Sequence, residues 1–146
     1  MPFAKEILMK HVMTAILALA ALPAFAAQLS PISPHLALAN RGQCVTIEGT
    51  ASVRQDEQRQ GTDVDLDGKD SSAFGFIRAE SAAQFPDLNG LDGQHVEMTG
   101  VVQYYLGRAE IILTSAKQLA PAGGGDDRSL SHVGPEYSRG SDIFCG

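Results

Sequence analysis

The chain has 146 residues, of which 44% are hydrophobic and 19% charged, and it carries a formal net charge of −6. That length has room for one domain, and the composition excludes a chain that is disordered throughout. The acidic balance argues against the basic stripe from which nucleic-acid binders draw much of their affinity.

Lys5, Lys10 and His11 precede an uncharged apolar run from Val12 to Leu22, then Pro23 and Ala24-Phe25-Ala26. A basic start, a short apolar run and a small-x-small cleavage site predict a secretion signal over residues 1–26, cut after Ala26. The run is shorter than the roughly 20 residues a membrane-spanning helix needs. The expected product is therefore periplasmic or secreted, with no stable membrane insertion after cleavage. Met9-Lys10 is an alternative start, and no Cys follows the cleavage site to carry a lipid anchor. Loss of Lys5, Lys10 and Glu6 leaves the remainder more acidic than the whole chain.

Residues 27–42, with Pro31 and Pro34 and no firm periodicity, read as a flexible leader. The pattern becomes regular at Cys44. Val45, Ile47, Gly49, Ala51 and Val53 alternate with Thr46, Glu48, Thr50 and Ser52, which predicts a half-buried strand. Arg54 to Gly61 reads as a polar loop. Thr62 to Asp67 alternates again, Val64 and Leu66 against Asp63, Asp65 and Asp67, and Ala73 to Ala79 is a third strand. Ser81 to Phe85 is expected to form a short helix, with Ser81 as N-cap and Pro86 ending it. Asn89-Gly90 and Asp92-Gly93 signal turns. Val96 to Tyr104 and Arg108 to Ser115 complete five strands, joined by a tight turn at Leu106-Gly107. From residue 120 to 146 the chain is polar and Gly-rich and reads as a flexible tail.

Val45-Thr46-Ile47-Glu48-Gly49-Thr50-Ala51 and Val96-Glu97-Met98-Thr99-Gly100-Val101-Val102 share a mid-strand glycine. Such glycines are tolerated where strands coil sharply within a closed sheet. Three strands, a short helix and two more strands is the order of an all-β, five-stranded OB-fold Greek-key barrel, here over residues 43–119. The segment Leu91-Asp92-Gly93-Gln94-His95-Val96-Glu97-Met98-Thr99-Gly100, then Tyr105-Leu106-Gly107-Arg108-Ala109-Glu110-Ile111-Ile112-Leu113, resembles anticodon-binding and helicase-associated OB domains and their small exported relatives. The resemblance implies an oligonucleotide-capable face on strands two and three.

On that face Phe74, Phe76, Arg78, Tyr105 and Arg108 are the candidate ligand-binding residues, with Arg54 beside them, because bases stack on aromatic rings and Arg contacts phosphate. The alternative is that most of these aromatics fill the core; alternation places Tyr104 inward and Tyr105 outward. Asp63-Val64-Asp65-Leu66-Asp67-Gly68 matches the first half of an EF-hand loop, but Phe74 stands where the loop's bidentate Glu belongs. Asp63, Asp65 and Asp67 are candidate ligands of a looser Ca²⁺ or Mg²⁺ site; a solvated strand face is the favoured reading. Cys44 and Cys145 leave two readings open. One is a disulfide that pins the tail to the first strand, worth up to about 4 kcal/mol. The other is a buried Cys44 with a free Cys145.

No nucleophile elbow, phosphate loop or H-E-x-x-H occurs, so a non-enzymatic binding module is expected. Its candidate partners are single-stranded nucleic acid, by resemblance, or a protein, peptide or cation held by the acidic strand face. A metal-dependent secreted nuclease is the remaining alternative.

Overall fold

The computed structural model describes residues 30–122 and Cys145. The expected secretion signal and most of the Gly-rich tail lie outside the described residues.

The fold is mostly β, with six strands in one sheet and a short α-helix. The strands are β1 (Cys44–Asp56), β2 (Gly61–Leu66), β3 (Ala73–Arg78), β4 (His95–Tyr105), β5 (Arg108–Leu113) and β6 (Leu119–Pro121). The pairings run β1-β2-β3-β5-β4 and return to β1; β3 and β5 are parallel and the other pairs antiparallel. β6 extends the other edge of β4 through Met98↔Leu119 and its neighbours. Five strands were expected, and β6 is the addition; three residues are too few for alternation to show.

Long β1 and β4 make this circuit possible. β1 pairs with β4 up to Thr50 and with β2 from Ala51 onward, so it serves two partners in succession. The hand-over occurs beside Gly49, where a Cβ would lie 2.9 Å from Asp67 Oδ1 and 3.0 Å from Leu66 Cβ. Asp67 locks the bend. It takes a left-handed φ of 63° just past β2, its N–H donates to Thr50 O, and its Oδ1 accepts from Thr50 N, both at 2.8 Å. The mid-strand glycine is therefore needed for close approach, whereas the sequence suggested only that the strand coils sharply there.

Three expectations change. The leader packs: Pro34–Ala37 forms the α-helix, Ala37 is fully buried, and Ile32 exchanges backbone hydrogen bonds with β1 at Thr46 and Glu48. The segment after β3 forms two 3₁₀ turns, Ala79–Gln84 and Leu88–Leu91; the residue capping the first is Arg78 rather than Ser81. Arg54 to Asp56 belong to β1 rather than to a loop.

The core lies on the inner side of the strands. Val45, Ile47, Ala51, Val64, Leu66, Ile77, Val96, Met98, Val102, Ile111, Leu113 and Leu119 fill it. Cys44 bonds to Cys145 across a Cα separation of 5.5 Å, inside the usual disulfide range.

Candidate functional site

β2 presents Val64 and Leu66 to the core, so Asp63 and Asp65 point to the opposite, outer face. Register brings the rest of that face together. Arg54 of β1 stands opposite Asp63, Phe76 of β3 pairs with Asp63 on the other side, and Phe74 pairs with Asp65. Phe74 in turn neighbours Glu110 of β5, and Arg108 neighbours Tyr105 of β4. Four strands thus supply three carboxylates, two phenylalanines and two arginines, with Tyr105 at the edge. A third guanidinium, Arg59, comes over the top from the β1–β2 connection.

Phe74 and Phe76 lie outside the core because β3 has no room for them inside. On the inner side Gly75 sits against Leu113 and Met98, where a Cβ would come within 2.8 Å of either side chain. Gly75 is the residue that this crowding requires, and Phe74 and Phe76, alternating with Ala73, Gly75 and Ile77, face outward. They are nevertheless buried, at 1% and 3% exposure.

Arginines bury them. The Arg59 guanidinium lies 3.6 Å from the Phe76 ring centroid and 3.9 Å from that of Tyr105; that of Arg108 lies 4.2 Å from Phe74. Phe74 and Tyr105 meet edge-on at 6.1 Å. Each arginine also has a carboxylate. Arg59 Nη1 donates to Glu110 Oε2 at 2.5 Å, Arg54 Nη2 to Asp63 Oδ2, and Arg108 Nη2 to Asp65 Oδ1. Arg108 Nε donates to Ser71 O at 2.6 Å, and Arg54 Nε stands 3.5 Å from Asp65 Oδ2.

Pairing is incomplete. Asp63 Oδ1, Asp65 Oδ2 and Arg54 Nε are buried without a hydrogen-bond partner in the protein. Burial pushes the Asp63 carboxyl above its ordinary range; the Arg54 guanidinium pulls it down but does not prevail, and Asp65 and Asp56 push it up.

The sequence-predicted residues therefore divide. Phe74, Phe76, Tyr105 and Arg108 do share one face, beneath or within a layer of arginine. Arg78 is exposed at the end of β3 and takes no part in these arginine–carboxylate pairs. Asp67 separates from Asp63 and Asp65 to hold the β1 bend, so the three aspartates do not form one donor set, and the two that stay together face arginines. Among the described residues no group of three or more His, Cys, Asp or Glu side chains could hold a metal ion. Tyr104, expected to face inward, is 53% exposed at the β4–β5 turn. Glu110, noted in the sequence only as part of the resembling segment, and Arg59 were not among the candidate site residues. Glu110 was legible, since Arg108 and Glu110 alternate with buried Ala109 and Ile111. Arg59 sits in a connection, where alternation carries no information.

Beside this face an open groove of about 740 Å³ runs between the β1–β2 connection and the two 3₁₀ turns. Ile77, Ala82, Phe85 and Leu88 give it an apolar floor, and Asp56, Glu57 and Asp87 stand around it with Arg78. No family model matches this chain, and no curated protein matches it. Among the described residues no helix is long and apolar enough to cross a membrane.

Proposed function

We propose that this chain is an exported, non-enzymatic binding module with an OB-fold barrel. Its ligand is a protein or peptide segment carrying basic side chains, rather than single-stranded nucleic acid. The closed ring of pairings, with β1 shared between β4 and β2 and a helical segment between β3 and β4, supports the barrel. The Cys44–Cys145 bond supports an oxidising compartment.

One observation carries the choice of ligand. Arg54, Arg59 and Arg108 each already have a carboxylate partner, and two of them cover the rings on which bases would stack. A single-strand binder needs the reverse: free guanidinium groups for phosphate and open aromatic faces. The neighbouring groove has the opposite polarity, three carboxylates and one arginine over an apolar floor, and suits a basic, partly apolar segment.

Fluorescence anisotropy with two labelled probes at low salt tests this. A peptide alternating Arg with Leu should bind, more weakly as salt rises, and a single-stranded oligothymidylate should not. Oligothymidylate binding with no peptide binding reverses the assignment.

A further inference from the structure

We propose that Phe76, Tyr105 and Glu110 form a binding site for a guanidinium group, that Arg59 occupies it from within, and that the arginine side chain of a partner is its exchangeable ligand. This goes beyond the reading above, whose groove lies beside this site, and rests on it only for the identity of the partner.

The site has the three parts that guanidinium recognition requires. Two aromatic faces lie within 4 Å of the Arg59 carbon, well inside the roughly 6 Å range of cation–π attraction. A buried carboxylate receives one nitrogen at 2.5 Å. The rigid elements supply all three: Phe76 from β3, Glu110 from β5 and Tyr105 from the end of β4. The guanidinium alone comes from a connection between strands.

Arg59 N donates to Asp56 Oδ1 at 3.1 Å, and Gln60 beside it takes a left-handed φ of 52°. A glutamine in that region pays a strain that an opened loop would relieve. Phe76 has a support besides Arg59: it packs against Gly61, where even a Cβ would come within 2.4 Å of the ring.

A second observation points the same way. Asp63 and Asp65, each at least nine-tenths buried on this layer, retain a carboxylate oxygen that accepts no hydrogen bond from the protein. Asp65 Oδ2 still faces Arg54 Nε at 3.5 Å, so the spare acceptor of the layer is Asp63 Oδ1. An incoming guanidinium would meet the Glu110 carboxylate, which in the closed site receives Arg59 Nη1 at 2.5 Å. A phosphate would meet only neutralised arginines.

The test uses the full exported chain with its disulfide intact, in wild-type form and as Arg59→Ala. The probe is N-acetyl-arginine amide; the controls are the citrulline analogue, of equal shape without charge, and N-acetyl-lysine amide. Binding is read from the Tyr105 and Phe76 ring resonances. Arg59→Ala should show saturable shifts with the arginine probe, weaker ones with lysine and none with citrulline. Wild type should bind the same probe roughly tenfold or more weakly, since its own arginine must leave first. Glu110→Gln added to Arg59→Ala should abolish saturation.

A folded Arg59→Ala protein that ignores the arginine probe overturns the proposal, as does equal binding of citrulline. Should Arg59→Ala not fold, Arg59→Lys keeps a cation in the site, and failure of the arginine probe to compete with that lysine overturns it equally. If Arg59→Ala binds the probe while wild type binds no basic peptide, the guanidinium site stands and the proposed function falls.

Discussion

Leu66 and Asp65 are neighbours on β2, and both are 0% exposed. They are enclosed by opposite means. Leu66 lies in an apolar core where every contact adds dispersion and removes surface from water. Asp65 lies in a layer of carboxylates, rings and guanidinium groups on the other side of the same strand. The inner side is dense and satisfied. The outer layer is dense but leaves two carboxylate oxygens and one guanidinium nitrogen without hydrogen bonds. Depth of burial alone would rank the two sides as equals; their chemistry separates a stabilising core from a layer whose desolvation cost can exceed its Coulombic gain.

The largest expected effect tests that separation directly. Leu66→Ala should cost about 2–5 kcal/mol. Asp65→Ala should cost about 3 kcal/mol, the low end for a broken buried pair, because Arg54 and Arg108 are partly exposed and can regain water. Urea unfolding gives both. The two sides part when both charges go: Asp65→Leu with Arg108→Met should recover most of the loss, to within about 1 kcal/mol of wild type. A double variant no better than Asp65→Ala would show that the layer is as irreplaceable as the core.

Packing gives a smaller effect. Gly61→Ala drives a methyl into the Phe76 ring and Ile77 O, at 2.4 and 2.5 Å, and should cost about 1–3 kcal/mol by thermal or urea unfolding. A neutral outcome would mean that the outer layer yields where the core does not.

Exposure can be separated from chemistry by comparing two cation–ring pairs. Arg41 lies 5.4 Å from the exposed Tyr104 ring, whereas Arg59 lies on two buried or half-buried rings. Arg59→Ala should cost about 2 kcal/mol, and Arg41→Ala about 0.5 kcal/mol. Equal losses would remove the special standing of the Arg59 site.

The smallest effect concerns pH. Burial raises the Asp63 carboxyl above its ordinary value near 3.8, so over that interval the folded chain holds a proton that the unfolded chain has lost. Stability contributed by this group is full below the ordinary value and falls as pH rises through the raised one. Denaturation at a series of pH values from that of a free carboxylate to neutrality should show this decline, and Asp63→Asn should flatten it. A wild-type slope of opposite sign would mean that Arg54 outweighs burial.

Much of the scaffold was legible along the chain. Period-two alternation located β1 to β5 to within about three residues, because each strand has a core on one side only. The mid-strand Gly49 marked a sharp coil in β1, but only the fold showed that β1 changes partners beside it and that Asp67 and Leu66 leave no room there for a Cβ. The leader helix and β6 escaped because a four-residue helix and a three-residue strand are shorter than any period that could reveal them. Part of the candidate site was equally plain: Phe74, Phe76, Tyr105 and Arg108 were grouped correctly. Asp67 was misgrouped because alternation was extended one residue too far, past the point where the backbone turns left-handed.

The sequence by itself determined which side of each strand is apolar, and hence that Asp63 and Asp65 face away from the core. It also supplied two cysteines, which bond once brought together. Only the tertiary structure decided what those aspartates face. Three arginines, from β1, from a connection and from β5, reach the same layer because a circuit of strand pairings places residues 54, 59 and 108 side by side. The sign and accessibility of a surface depend on such long-range neighbours, since a charge is neutralised through space rather than along the chain. A face that reads as aromatic and basic in one strand, and acidic in the next, became in the fold a single neutralised layer with arginine over its rings.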